Sequence, residues 1–76
     1  MKLETVKKKL QDADLEVVDI ALNIKGAEVQ GLKVDTDYNG LYPTRETFQK
    51  LETVRKVVKN GYKVEPRGYY TAVFIY

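Results

Sequence analysis

The sequence predicts a small α+β domain, a two-layer sandwich in which two helices pack on one face of a four-stranded, mainly antiparallel sheet. Three observations lead to this prediction. Apolar residues recur at helical spacing in two stretches, they alternate with polar residues in two others, and turn-forming residues separate these stretches. The element order is therefore α-β-β-α-β-β, and a chain of 76 residues suits one domain, covering residues 1–76.

The first helix is predicted at about residues 2–12. Leu3, Val6 and Leu10 recur there at the spacing of one helical face. Glu4 lies near the positive end of the helix dipole and four residues before Lys8, and both arrangements favour a helix.

A hairpin is predicted next, at about residues 16–34. Its first strand alternates, and the apolar set consists of Val18, Ile20, Leu22 and Ile24. Lys25-Gly26 suits a two-residue turn. In the returning strand the alternation changes phase near Gly31. We therefore expect a bulge at Gln30-Gly31, which would return Val29 to the buried face with the other apolar residues of that strand.

A loop at residues 35–43 leads to a second helix at about residues 44–60. Thr44 is the expected N-cap, and Asn60-Gly61 is a suitable stop. The apolar residues expected to face the core of the domain are Phe48, Leu51, Val54, Val57 and Val58.

The second hairpin is predicted at about residues 62–76. Residues 65–68, with the sequence EPRG, suit a type I turn. This turn would pair Val64 with Tyr69 and direct Val73 and Ile75 to the core. The opposite face of the last strand would then carry Tyr70, Ala72, Phe74 and Tyr76.

The two halves of the chain contain a short repeat. Residues 3–8 read LETVKK and residues 51–56 read LETVRK, each within a predicted helix that precedes a hairpin. A duplication of one αββ unit explains this match, and coincidence among good helix-forming residues is the alternative. Both give the same element order.

Composition excludes several classes of chemistry. The chain has no Cys, His, Trp or Ser, which removes disulfides, Cys-based zinc sites and Ser-His or Cys-His nucleophiles. There is no Gly-rich phosphate loop, and we expect no enzymatic activity. No apolar run is long enough to cross a membrane, so we expect no membrane partner. The absence of cysteine fits a cytoplasmic location.

The loop and the start of the second helix fit the calcium-loop pattern D-x-[DN]-x-[DN]-G-x₅-E. Asp35, Asp37, Asn39 and Glu46 would supply the oxygen ligands that Ca²⁺ prefers, and Gly40 would allow the sharp turn. The element before the loop is a predicted strand, whereas an EF-hand requires a helix. The alternative is therefore that these residues serve the turn and the helix dipole, with no cofactor bound.

The aromatic residues of the last strand predict an interaction surface. A two-layer domain has nothing to cover Tyr70, Phe74 and Tyr76 on the outer face, and Lys63 is expected beside them. This indicates a small non-catalytic binding or regulatory protein that associates with a protein partner or with its own copy as a homodimer. The alternative is that neighbouring strands shield the rings.

Nucleic-acid binding is the alternative function. Arg45, Lys56, Lys59 and Lys63 would bind phosphates while Tyr70 stacks on a base. The net charge of +2 is small for such a partner. Residues 13–40 are also acidic, with six carboxylates against two lysines, which disfavours a broad nucleic-acid surface.

Overall fold

The computed structural model describes residues 2–38, 40–58 and 61–75, and it confirms the predicted element order. The elements are α1 (Leu3–Asp12), β1 (Val17–Ile24), β2 (Ala27–Asp35), α2 (Arg45–Val57), β3 (Lys63–Arg67) and β4 (Tyr70–Phe74). All strand pairs are antiparallel and the sheet order is β1-β2-β4-β3. The strands β2 and β4 are therefore internal, and β1 and β3 form the two edges.

Both helices pack on the same face of the sheet. Val6 and Leu10 of α1 join Val54 of α2 in one buried cluster with Leu32 and Val73 of the sheet. The predicted two-layer arrangement is confirmed. The face of the sheet that meets the helices is called the inner face below, and the opposite face is called the outer face.

The two αββ units meet at their second strands, because β2 pairs with β4. Val6 and Val54, which are equivalent in the repeated hexapeptide, are both fully buried. This arrangement is compatible with a duplication. The hexapeptide begins α1 but lies in the second half of α2, so the duplication stays a hypothesis.

The N-terminus of α2 is closed by a capping box. The Thr44 hydroxyl oxygen accepts a hydrogen bond from the backbone N–H of Thr47 at 3.2 Å, and the Thr47 hydroxyl oxygen accepts one from the backbone N–H of Thr44 at 3.3 Å. The Thr47 hydroxyl also donates to the carbonyl of Asp37. Thr47 is therefore buried, and the next residue, Phe48, points outward and is 59% exposed. The prediction that Phe48 faces the core was wrong for this reason.

The helix α2 ends earlier than predicted. Val58 already has an extended backbone, so the last helical residue is Val57. Val54 and Val58 are buried, as expected, and Leu51 and Val57 are partly buried. The predicted stop at residues 60–61 lies partly outside the described residues.

The first hairpin has the predicted Lys25-Gly26 turn, with positive φ at both residues, and no bulge. The register runs without interruption from Val17 opposite Val34 to Ile24 opposite Ala27. The expected bulge at Gln30-Gly31 was wrong. The change of phase has another cause: one set of apolar residues in this hairpin lies on the inner face, and the other set lies on the outer face.

This uninterrupted register also decides which side of β1 faces the helices. Val17 lies on the inner face with Leu32 and Val34. The alternating set that begins at Val18 lies on the outer face, as does Val29, which pairs with Leu22. The prediction of one buried face for the apolar residues of this hairpin was therefore wrong, because the structure divides them between the two faces.

The second hairpin turns later than predicted. Arg67 is opposite Tyr70 and Val64 is opposite Val73, so the turn is Gly68-Tyr69. The φ of +68° at Gly68 fits the first central position of a type II′ turn. Pro66 remains within β3 because an edge strand tolerates a residue without an N–H. The predicted pairing of Val64 with Tyr69 was therefore wrong.

The corrected register differs by four positions, an even number, so the residues within β3 and β4 keep their predicted faces. Val64 and Val73 pack with the inner cluster, and Tyr70, Ala72 and Phe74 lie on the outer face. Ile75, which was expected in the core, follows the end of β4 and is 55% exposed.

Candidate interaction surface

The outer face of the sheet has its own apolar cluster. Leu22, Ala72 and Phe74 are buried there, and the partly buried residues around them are Ile20, Ile24, Val29 and Tyr70. No described helix covers this face. An antiparallel sheet with one face in water usually has polar residues on that face. The apolar cluster therefore takes no part in the packing of the sheet against the helices.

The predicted aromatic contacts on this face differ in their exposure. Phe74 is 1% exposed because β4 is internal and its neighbours close over the ring. Phe74 thus belongs to the sheet's own packing in the isolated chain. Tyr70 is half-buried. Tyr76 lies outside the described residues.

Lys63 does not lie directly opposite Tyr70. It pairs with Phe74, and Arg67 pairs with Tyr70. Four positions along a strand separate Lys63 from Arg67, a distance of about 13 Å. The cation near Tyr70 is Lys33 of β2, whose Nζ lies 5.2 Å from the centre of the ring, within the range of a cation–π interaction.

Tyr70 forms one wall of an open cleft of about 430 Å³ at the end of the outer face. We call it the tyrosine cleft. Its lining consists of Glu16, Val18, Lys33, Asp35, Tyr38, Tyr69 and Tyr70. The rings of Tyr38 and Tyr69 have their centres 6.5 Å apart, so the loop after β2 and the β3–β4 turn meet here. Val18 is 55% exposed and Tyr69 is 70% exposed.

Two of these three tyrosines were missed from the sequence. Tyr38 lies in an irregular loop, where no periodicity assigns a direction to the side chain. Tyr69 was assigned to the core because the turn was placed too early. The turn chemistry of Gly68 is the signal that would have placed Tyr69 at a turn and exposed it.

The cationic residues predicted to bind nucleic acid are not brought together. Arg45 and Lys56 belong to α2, in the layer opposite Tyr70, and Lys63 lies on the outer face of β3. Lys56 pairs with Glu52 at 3.3 Å. Lys59 lies outside the described residues.

The predicted calcium loop contains an internal ion pair instead of a gathered ligand set. The Nζ of Lys50 donates a hydrogen bond to Oδ2 of Asp37. Asp35 accepts a hydrogen bond from the backbone N–H of Asp37 at 2.8 Å, the geometry of a turn. Among the described residues, no three acidic, His or Cys side chains come together at a metal-binding distance. Asn39 lies outside the described residues, and calcium binding stays a prediction.

The surroundings of Lys50 raise its pKa above the usual 10.5. The hydrogen bond to Asp37 is the main cause, and the negative charges of Asp37, Asp35 and Glu46 add to it against the opposing effect of desolvation. Three of the four predicted calcium ligands thus act on this ammonium group. Sequence reasoning missed Lys50, although its position four residues after Glu46 on the helix was a usable signal.

In the described part of the chain, neither helix is long and apolar enough to cross a membrane. No known protein family, no curated protein and no solved structure matches the chain.

Proposed function

We propose that this protein is a small non-catalytic binding protein that acts by associating with another polypeptide through the outer face of its sheet. The observation that supports this most directly is the apolar cluster on a face that no described helix covers. The side chains at the centre of the cluster are buried, and the partly exposed residues around them, together with the exposed Val18, leave apolar surface next to polar residues. Such surface is typical of protein interaction sites.

The tyrosine cleft supplies suitable contacts for such an association. Tyr69 and Tyr70 present large rings together with hydroxyl groups, and aromatic side chains of this kind dominate the binding energy of many interfaces. Glu16, Lys33 and Asp35 line the same cleft, and they provide the polar rim that accompanies an apolar contact.

The proposal is tested by placing a charge on the outer face. Val18→Asp alters an exposed residue, so the fold should persist while the apolar surface is interrupted. Phe48→Asp is the matched control, because Phe48 is exposed to a similar degree but lies on α2. Chemical crosslinking of purified protein and of cell extract should give adducts that Val18→Asp removes and Phe48→Asp retains. If Val18→Asp retains every adduct, the outer face is not the binding surface.

Nucleic-acid binding is the alternative proposal, and the geometry supports it less. Its candidate cations are divided between two layers of the domain, so they cannot follow one phosphate backbone. Tyr70 is shared by both proposals. A salt titration, described below, separates them.

A further inference from the structure

The two edges of the sheet are built differently. β3 has only five residues and contains Pro66, and the outer side chains of this strand are all charged: Lys63, Glu65 and Arg67. Shortness, proline and charge are the devices that prevent an edge strand from pairing with another chain. β1 has eight residues and no proline, and its outer side chains are all apolar. The β1 edge therefore lacks the protection that the β3 edge has.

The backbone of β1 has N–H and C=O groups along the edge that does not pair with β2. Ile24 and Ala27 flank a two-residue turn, so they form a hydrogen-bonded pair, and every second residue of β1 from there bonds to β2. The intervening residues, Val17, Asp19, Ala21 and Asn23, direct their N–H and C=O groups away from β2. No backbone hydrogen bond joins these groups to another element within the described ranges.

The strand is self-complementary when it is placed antiparallel to a second copy with Ala21 at the two-fold axis. On the outer face, Ile20 then lies opposite the second copy's Leu22, and both are apolar. On the inner face, Asp19 lies opposite the second copy's Asn23. A register centred on Asp19 would instead place two aspartates directly opposite each other, which is unfavourable.

Charge favours the same orientation. Glu16 immediately precedes β1 and Lys25 immediately follows it. Antiparallel pairing centred on Ala21 brings each end of one strand to the opposite end of the other, so Glu16 of each copy lies near Lys25 of the other copy. Parallel pairing would bring like charges together at both ends.

We infer that the associating polypeptide is a second copy of this chain, and that it pairs with the β1 edge. Two copies thereby join antiparallel β1 strands into one continuous sheet, whose outer faces lie side by side. The inference rests on the proposed function and names its partner. It also extends the apolar surface, because the outer rows of the two β1 strands become neighbours across the two-fold axis.

A cysteine scan tests the register. The chain has no cysteine of its own, so each variant carries one thiol. Ala21→Cys would place two thiols opposite each other with Cα atoms about 5.5 Å apart, a distance that a disulfide bridges. Oxidation should convert Ala21→Cys to a covalent dimer. Asp19→Cys, whose two thiols lie apart in this register, should form little covalent dimer. Equal crosslinking of both variants, or none, would overturn the register.

The mass of the protein in solution tests whether two copies pair through β1. The wild type should have twice the 8.7 kDa of the single chain by light scattering. Ala21→Pro removes an N–H that points away from β2, so the variant should keep its circular dichroism spectrum and have the mass of one chain. Ile20→Lys should have the same effect on mass, and Phe48→Lys should have none. A dimer that persists in Ala21→Pro would contradict pairing through β1.

The two proposals fail in different ways. A wild type that is monomeric at millimolar concentration overturns the homodimer. If Val18→Asp then still removes adducts with other proteins, the proposed function stands. If no adduct responds to Val18→Asp, both proposals are wrong.

Discussion

Phe74 lies directly opposite Gly31 in the β2–β4 pairing, and its burial on the outer face depends on that glycine. A Cβ atom at position 31 would lie 2.8 Å from the carbonyl oxygen of Val73, 2.9 Å from Cδ1 of Leu22 and 3.2 Å from Cβ of Phe74. The first two distances are shorter than side chains normally accept. The absence of a side chain at Gly31 therefore leaves the space in which Leu22 and Phe74 pack.

Gly31→Ala should destabilise the domain by about 1–3 kcal/mol, because overpacking next to a backbone carbonyl cannot be relieved by rotating a side chain. Urea unfolding at pH 7 measures this change. Gln30→Ala is the control on the adjacent exposed position of β2, and it should alter stability by less than about 0.5 kcal/mol. A Gly31→Ala variant as stable as the wild type would show that β2 and β4 separate easily at this point.

Lys50→Gln should lower stability at neutral pH by at most about 1 kcal/mol, since the pair with Asp37 is partly exposed to solvent. The raised pKa of Lys50 determines the pH dependence. The contribution of Lys50 to stability is fully present below the pKa of 10.5 that it has in the unfolded chain. This contribution is lost as the pH rises through the higher pKa of the folded protein.

Free energies of unfolding measured at pH 7 and above pH 11 check the direction of this pH dependence. The difference between wild type and Lys50→Gln should shrink at the higher pH. Lys56→Gln is the control, because its pair with Glu52 is more exposed. A difference that grows with pH would mean that Lys50 is not stabilised by these carboxylates.

Calcium should leave the melting temperature unchanged, because Lys50 already binds Asp37 in the loop where the ion would have to lie. The measurement is a pair of melting curves in millimolar CaCl₂ and in EDTA. Binding at a hundredfold excess over Kd would add about 2.7 kcal/mol, which corresponds to a rise of several degrees in a domain of this size. A rise of that kind that Glu46→Gln abolishes would establish the calcium site.

Oligonucleotide binding should be weak and show little dependence on salt, because the cationic residues of α2 face away from Tyr70. Fluorescence anisotropy with single-stranded and duplex probes at low salt measures it. The contrary result is micromolar affinity that falls steeply with salt and that Arg45→Ala weakens. That result would favour the nucleic-acid proposal over protein association.

Features with local causes could be predicted from the sequence. The Lys25-Gly26 turn, the Thr44 cap and the alternation of β1 each depend on residues close in the chain, so the element order follows from them. The periodicity of β4 likewise placed Tyr70 and Phe74 on one face, even though the turn before it was misplaced by two residues and the register therefore by four. A register error of an even number of residues leaves each side chain on the same face of the sheet.

Only the tertiary structure decided which face of each element meets the helices and which distant residues meet. Alternation shows that Val18 and Leu22 share a face, but both faces of this sheet contain apolar residues, so alternation does not assign that face to the helices. The meeting of Tyr38 with Tyr69 and of Lys50 with Asp37 depends on how loops and helices far apart in the chain pack together. Turn and strand preferences act between neighbouring residues, whereas burial of apolar area is optimised over the whole domain.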